Sequence, residues 1–271
     1  MIRRAPAAQS AAGTVETLDD AARWIDDVGI ALLYPKADFV LPSLWEAVAG
    51  HTDLEWSVRD EDAKFVSFTP EMAKVWSWKD DLPARRLACI GLHVVRTTGL
   101  IAPRLVPAAY ALTGRSGEVA DFRDEQLEPL EREVAEAALD LGRPTTRKEL
   151  RLLVDRTKRD VDKAVNVLQR KLVLTNAGRA DSDTSWSATL HDLFARRWRA
   201  RLRRLPTHEA ALAALAEKVV RAAGDVSTVD LAAALRLRRR EATDVLEALE
   251  ARGALERLDE DGITVWVPSG T

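Results

Sequence analysis

Arg159, Lys163, Asn166 and Arg170 stand at i, i+4, i+7 and i+11, a spacing that lines three cations and one amide along one face of a helix. These residue types suit nucleic-acid recognition. Guanidinium and ammonium groups neutralise phosphate, and in the major groove arginine pairs with guanine and asparagine with adenine. Arg147 and Lys148, on the preceding segment, add two candidate phosphate contacts. A second basic run, Ala-Arg-Arg-Trp-Arg-Ala-Arg-Leu-Arg-Arg-Leu over residues 195–205, supplies Arg196, Arg197, Arg199, Arg201, Arg203 and Arg204. Leu193, Phe194, Trp198 and Leu202 fall near helical spacing, so residues 193–205 are predicted to form a connector helix with one apolar edge and two basic ones. The alternative for both runs is a solvated face of a purely structural element.

The net charge of −3 hides a segregation along the chain. Residues 142–205 carry 17 Lys/Arg against 7 Asp/Glu, and the remainder is acidic. Arg outnumbers Lys 31 to 9, which a coding bias toward arginine would explain, but such a bias does not cluster charge in one segment. A positive module of this kind attracts polyanions.

Other chemistries find little footing. His51, His93, His191 and His208 are scattered without ligand spacing, and Cys89 is the one cysteine, which rules out an intrachain disulfide and a cluster of thiolates. No metal or cofactor is expected. No glycine-rich dinucleotide loop, P-loop or nucleophile elbow is present. The longest apolar run falls short of the roughly 20 residues that span a bilayer, and residues 1–14 lack a secretory core. They read as a disordered tail on a cytoplasmic protein with no membrane contact. Trp76, Trp78 and Lys79 could stack on a displaced base and pair with backbone phosphate, although tryptophans so placed also serve as interface core.

The elements that must position these residues follow from caps and periodicity. Near the C-terminus, Thr207 opens a helix ended by Gly224, Ser227 with Asp230 caps a second, and a third buries Ala242, Val245, Leu246 and Leu249. Residues 254–258 and 263–267 then alternate as two strands joined by Asp-Glu-Asp-Gly. Three helices and a hairpin define a winged helix-turn-helix. About 75 residues earlier the order repeats: a helix over 130–141, a box of Thr146 with Glu149, a helix capped by Thr157 with Asp160, and strands at 172–175 and 184–190. The N-terminal half is less regular, with Thr17 capping a helix, residues 29–35 as a buried strand, a helix over 43–48, and a hairpin from 87–95 and 99–102. The expected fold is mainly α with small β-hairpins (α+β), built of tandem winged helix-turn-helix units. Its expected parts are the tail 1–14, a degenerate N-terminal winged-helix-like domain 15–125, a middle winged helix 126–192, the connector 193–205 and a C-terminal winged helix 206–271. In this last unit the face opposite the core carries Glu241, Asp244 and Glu247, which would repel phosphate and suit a protein partner.

Tandem units led by a helix, Val-Gly-Ile-Ala-Leu-Leu-Tyr-Pro and a second helix resemble the AlkZ (YcaQ-type) DNA glycosylase family. Residues 76–83, Trp-Ser-Trp-Lys-Asp-Asp-Leu-Pro, bring the chain nearer to the shorter AlkZ-related proteins. The resemblance covers roughly residues 15–267. It implies DNA as partner, double-stranded, and a role in repair or regulation; full members excise alkylated or crosslinked bases. Their catalytic Gln-x-Gln or Gln-x-Asp falls on Leu32 and Tyr34 of this chain, and leucine can neither position a water nor steady an oxocarbenium charge. The expectation is therefore a DNA binder without catalytic residues. Alternatives are a divergent glycosylase using Asp38, Glu46 or Asp80 as a base, and a winged-helix scaffold for proteins.

Overall fold

A computed structural model describes residues 15–37, 39–58, 67–93, 97–180, 188–260 and 262–270. The expected tail, Asp38, residues 184–187 of the middle hairpin, the link at 94–96 and residue 261 of the last turn lie outside them.

Among the described residues three segments share one order: helix, strand, helix, helix, strand, strand. The N-terminal one runs α1 (Leu18–Val28), β1 (Ile30–Leu32), α2 (Leu44–Ala49), then a small hairpin β2 (Ser57–Val58) and β3 (Ser67–Phe68), α3 (Pro70–Ala84), β4 (Cys89–Gly91) and β5 (Gly99–Ile101). After a bridge containing α4 (Val106–Ala111) comes the middle one: α5 (Pro129–Asp140), β6 (Thr145–Thr146), α6 (Arg147–Val154), α7 (Lys158–Arg170), β7 (Leu174–Arg179) and β8 (Thr189–Leu193). A one-turn helix α8 (Phe194–Arg197) leads to the last: α9 (His208–Ala223), β9 (Val226–Ser227), α10 (Thr228–Leu235), α11 (Arg239–Ala251), β10 (Leu255–Glu260) and β11 (Ile263–Pro268). Each three-stranded sheet is antiparallel and places the third strand between the first and second: β1-β5-β4, β6-β8-β7 and β9-β11-β10. The molecule is thus of the mainly helical α+β class.

Local signals explain the helix starts. Thr17, Ser43, Thr146 and Ser227 each accept from the N3 amide while the N3 carboxylate accepts from the cap amide. Thr157 and Thr207 accept from the amides of Asp160 and Ala210. Gly29 ends α1 at φ +86, and a Cβ there would also come 2.9 Å from Leu105. The short strands β6 and β9, the hairpin β2–β3 and α4 carry no comparable signal.

The N-terminal sheet is buried on both faces. Ala31, Leu33, Ile90 and Leu100 join a core with Ile25, Trp45, Met72 and Trp78. The opposite residues Ile30, Leu32, Cys89 and Ile101 join Leu215, Val219, Leu246 and Trp266 of the C-terminal unit, together with Phe194 and Trp198. The middle unit has its own core of Val134, Leu150, Val165 and Leu168. It meets α3 closely at β7, where Gly178, at φ +121 beside a bulge, leaves room for Ala84; an added Cβ would lie 2.9 Å from that methyl.

The connector departs from expectation. Residues up to Leu193 belong to β8, α8 lasts four residues, and turns occupy 198–204. Leu193, Phe194, Ala195, Trp198 and Leu202 are all buried, the first in the middle core and the other four in the core shared with the C-terminal unit, although no continuous helix carries them. That packing outweighs the helical propensity of the arginines between them.

Candidate nucleic-acid interface

Helix α7 owes its orientation to Val161, Ala164, Val165 and Leu168, which face the middle core. The opposite face holds Arg159, Lys163 and Arg170, all exposed, with Asn166 half-buried between them. With Lys158 and Asp162 they border a shallow, open groove along this one helix. Among the described residues no carboxylate comes within ion-pair distance of Arg159, Lys163 or Arg170. The one acid in the groove is already engaged, because Asp162 accepts from Lys158 at 2.7 Å and from Arg147 at 3.2 Å. Burial works against its ionisation, yet these bonds hold its carboxyl below the usual range. The groove presents donors.

Arg147 does not face solvent freely. Its guanidinium donates to Asp162 Oδ1, to Asn166 Oδ1 at 2.8 Å and, through Nε, to His191 Nε2 at 3.2 Å. It therefore ties α6 to α7 and β8, and Lys148, exposed beside it, keeps its charge for a ligand. Asn166 also borders a second cleft of about 370 Å³ between the N-terminal and middle units, walled by Gly91, Leu92, Lys148, Asn176, Thr189 and His191 among others. The two clefts meet at Asn166.

Beneath this junction lies a buried polar chain. His93 Nδ1 donates to the Gln169 carbonyl at 3.0 Å, so its Nε2 accepts from Thr175 Oγ1 at 3.2 Å. Gln169 Oε1 accepts from the Leu92 amide at 3.0 Å. Burial pulls the His93 pKa down to about 4, and burial followed by the charge of Arg147 pulls His191 down to about 3. Both rings are neutral, as acceptors from Thr175 and Arg147 must be. Arg236 closes the junction from the C-terminal unit, donating to the carbonyls of Arg170 and His93.

The remaining expected contacts do not converge on this face. Arg196 donates to Asp192 at 2.7 Å and to the carbonyls of Ala138 and Arg143. Arg197, half-buried with its pKa lowered by that burial, donates to the carbonyls of Pro83 and Ala84. These two arginines satisfy the carbonyl ends of α5 and α3 instead of awaiting phosphate. Arg199, Arg201, Arg203 and Arg204 are exposed, but none lines either cleft.

The aromatic residues of the N-terminal unit form a cluster of their own. Trp76 meets Trp56 edge to face and Phe68 at a tilt, Lys79 sits 4.5 Å over its ring and bonds Asp80, and Trp78 is buried in the core. Trp56 remains 44% exposed and tilts against Tyr34 at 5.5 Å. Leu32, at one expected catalytic position, is wholly buried in the core. Tyr34, at the other, has a buried hydroxyl without a partner among the described residues, its pKa pushed to about 12 by burial and then by the charge of Asp80. Asp80 is buried with one oxygen on Lys79 and the other, Oδ1, unpartnered among the described residues. Glu46 is taken up in its capping box with Ser43.

Sequence reasoning did not find the engagement of Asn166 by Arg147 or the roles of His93, His191 and Gln169; histidines 98 residues apart give no spacing to read. Among the described residues no group of acids, histidines and cysteines could hold a metal, and no helix is long and apolar enough to cross a membrane. The model of the family described as AlkZ related matches residues 15–236. No curated protein matches the sequence. Among solved structures, the DNA glycosylase AlkZ of Streptomyces sahachiroi is 18% identical with a TM-score of 0.46, over 67% of this chain and 52% of that one. The DIP2311 protein of Corynebacterium diphtheriae is 14% identical with a TM-score of 0.21, over 73% of this chain and 39% of that one. The chain thus spans about half the length of the glycosylase and less of the second protein.

Proposed function

The chain belongs to the AlkZ-related family, and from that premise we propose that it is a double-stranded DNA-binding protein of DNA repair or regulation, without base-excision chemistry of the family's usual kind. In this reading its three units are winged helices and α7 of the middle one enters the major groove. The observation that carries it is the unneutralised row of Arg159, Lys163 and Arg170 on one exposed helix face, lining one groove with Asn166. Lys148 and the exposed arginines at 199, 201, 203 and 204 add longer-range attraction for phosphate. Leu32 is buried and apolar where a catalytic glutamine would stand, so the reading gives the scaffold a binding role.

Titration of a fluorescent duplex at several salt concentrations tests it. Three phosphate contacts give a slope of about −3 for log affinity against log salt, and Lys163→Ala lowers its magnitude by about 0.9. Absence of binding at low salt, or a slope unchanged in Lys163→Ala, defeats the reading.

One observation favours a second reading, a divergent glycosylase. Tyr34 and Asp80 offer a buried donor and a buried acceptor oxygen, both unpartnered among the described residues, in one unit. Incubation with alkylated DNA and cleavage of abasic sites would then give strand breaks that Asp80→Asn abolishes. Intact strands at high protein concentration reject it.

A further inference from the structure

Resting on the DNA-binding reading above, we propose that Arg147 is a positioning residue that turns Asn166 from an adenine reader into a donor, so that α7 selects guanine edges in the major groove. An asparagine that reads adenine uses both ends of its amide, Nδ2 donating to N7 and Oδ1 accepting from the exocyclic amino group. Arg147 donates to Asn166 Oδ1 at 2.8 Å. A guanidinium has no acceptor, so the orientation of that amide is fixed chemically: the oxygen faces Arg147 and the NH2 faces away from it. One of the oxygen's two lone pairs is thereby taken, and the cationic N–H groups beside it oppose the approach of an adenine or cytosine amino group to the other. Nδ2 has no such encumbrance.

Arg147 is itself held from its other edges by Asp162 and His191, so the fork cannot swing aside without leaving the buried His191 Nε2 unpaired. His191 is 2% exposed. The rest of the groove agrees with Asn166: Lys158, Arg159, Lys163 and Arg170 are donors only, and the oxygens of Asp162 are covered by Lys158 and Arg147. Guanine is the base that offers two acceptors, N7 and O6, to the major groove. A surface composed of donors discriminates for it and against the amino-bearing edges.

Three duplexes of one length test the inference, with a G·C core, the same core with 7-deazaguanine for guanine, and an A·T core. The protein is expected to bind the G·C core about tenfold more tightly than the A·T core and to lose most of that margin with 7-deazaguanine, whose N7 acceptor is gone. Arg147→Met frees Asn166 Oδ1, so the ratio of G·C to A·T affinity should fall severalfold even where overall affinity changes little; a merely structural role would move both affinities together. Should Arg147→Met fail to fold, Asn166→Ala, which leaves the bonds of Arg147 to Asp162 and His191 in place, carries the test by narrowing the same ratio. Equal affinity of the unaltered protein for G·C and A·T cores, or a ratio untouched by both substitutions, overturns the inference while leaving DNA binding in place. Absence of binding to every duplex overturns the parent reading and this one with it.

Discussion

Arg115 and Arg147 show two ends to which a guanidinium can be put inside one protein. Arg115 is buried, pairs with Asp121 at 3.4 Å, lies over the Tyr110 ring and donates to the carbonyls of Lys171 and Leu172 just past α7. Removing it leaves the buried Asp121 carboxylate with the Tyr110 hydroxyl and the Gly117 amide but no counter-charge, and Arg115→Ala should destabilise the fold by about 3–5 kcal/mol in urea unfolding; a loss under about 1 kcal/mol would mean that water reaches the carboxylate. The neutral histidines set a second expectation. Their folded pKa values, about 4 for His93 and about 3 for His191, lie below the ordinary 6.5, so the unfolded chain binds protons that the folded one refuses. Their contribution is complete above the unfolded value and is lost as pH falls from 6.5 toward 4 and then 3. His93 alone accounts for a drop of about 3 kcal/mol across its window, read as a lower urea midpoint near pH 4.5 than near pH 7. Equal midpoints would place both rings in contact with solvent.

At the scale of elements, arginines act as caps. Arg197 satisfies the last two carbonyls of α3, Arg196 one near the end of α5, and Arg236 the last of α7, each from another part of the chain. Arg197→Ala should therefore cost about 1–3 kcal/mol of stability and leave low-salt affinity for duplex unchanged, the reverse of Lys163→Ala; a fall in affinity without a fall in stability would return Arg197 to the ligand. This explains which elements were legible in the sequence. Helix starts were, because a capping box is a code of four consecutive residues: Thr146 with Glu149 and Ser227 with Asp230 stand where expected. The face of α7 was legible from its period. The segment 193–205 was not, because an arginine looks the same whether its partner is a phosphate or a carbonyl more than a hundred residues away, and because Trp198 and Leu202 reach into a core assembled from distant strands. Nor could the spacing of Arg147 and Asn166 show that one holds the other's amide oxygen.

Over the whole molecule, the N-terminal sheet lies between two cores, one of them shared with the C-terminal unit. Units so joined should unfold together, and thermal unfolding is expected as one transition whose calorimetric and van 't Hoff enthalpies agree; two resolved transitions would show the seam to be weaker than its packing indicates. Cys89 stands on that seam, fully buried, with Sγ 3.7 Å from Thr175 Oγ1 of the middle unit and its pKa raised to about 12 by burial. A thiol held in this state is blind to electrophiles, since the thiolate is the reacting species. Maleimide or disulfide reagents can modify it only when the sheet parts from its neighbours, so the rate at which the lone thiol becomes labelled is a clock for the breathing of the whole assembly, readable by mass spectrometry without substituting a single residue.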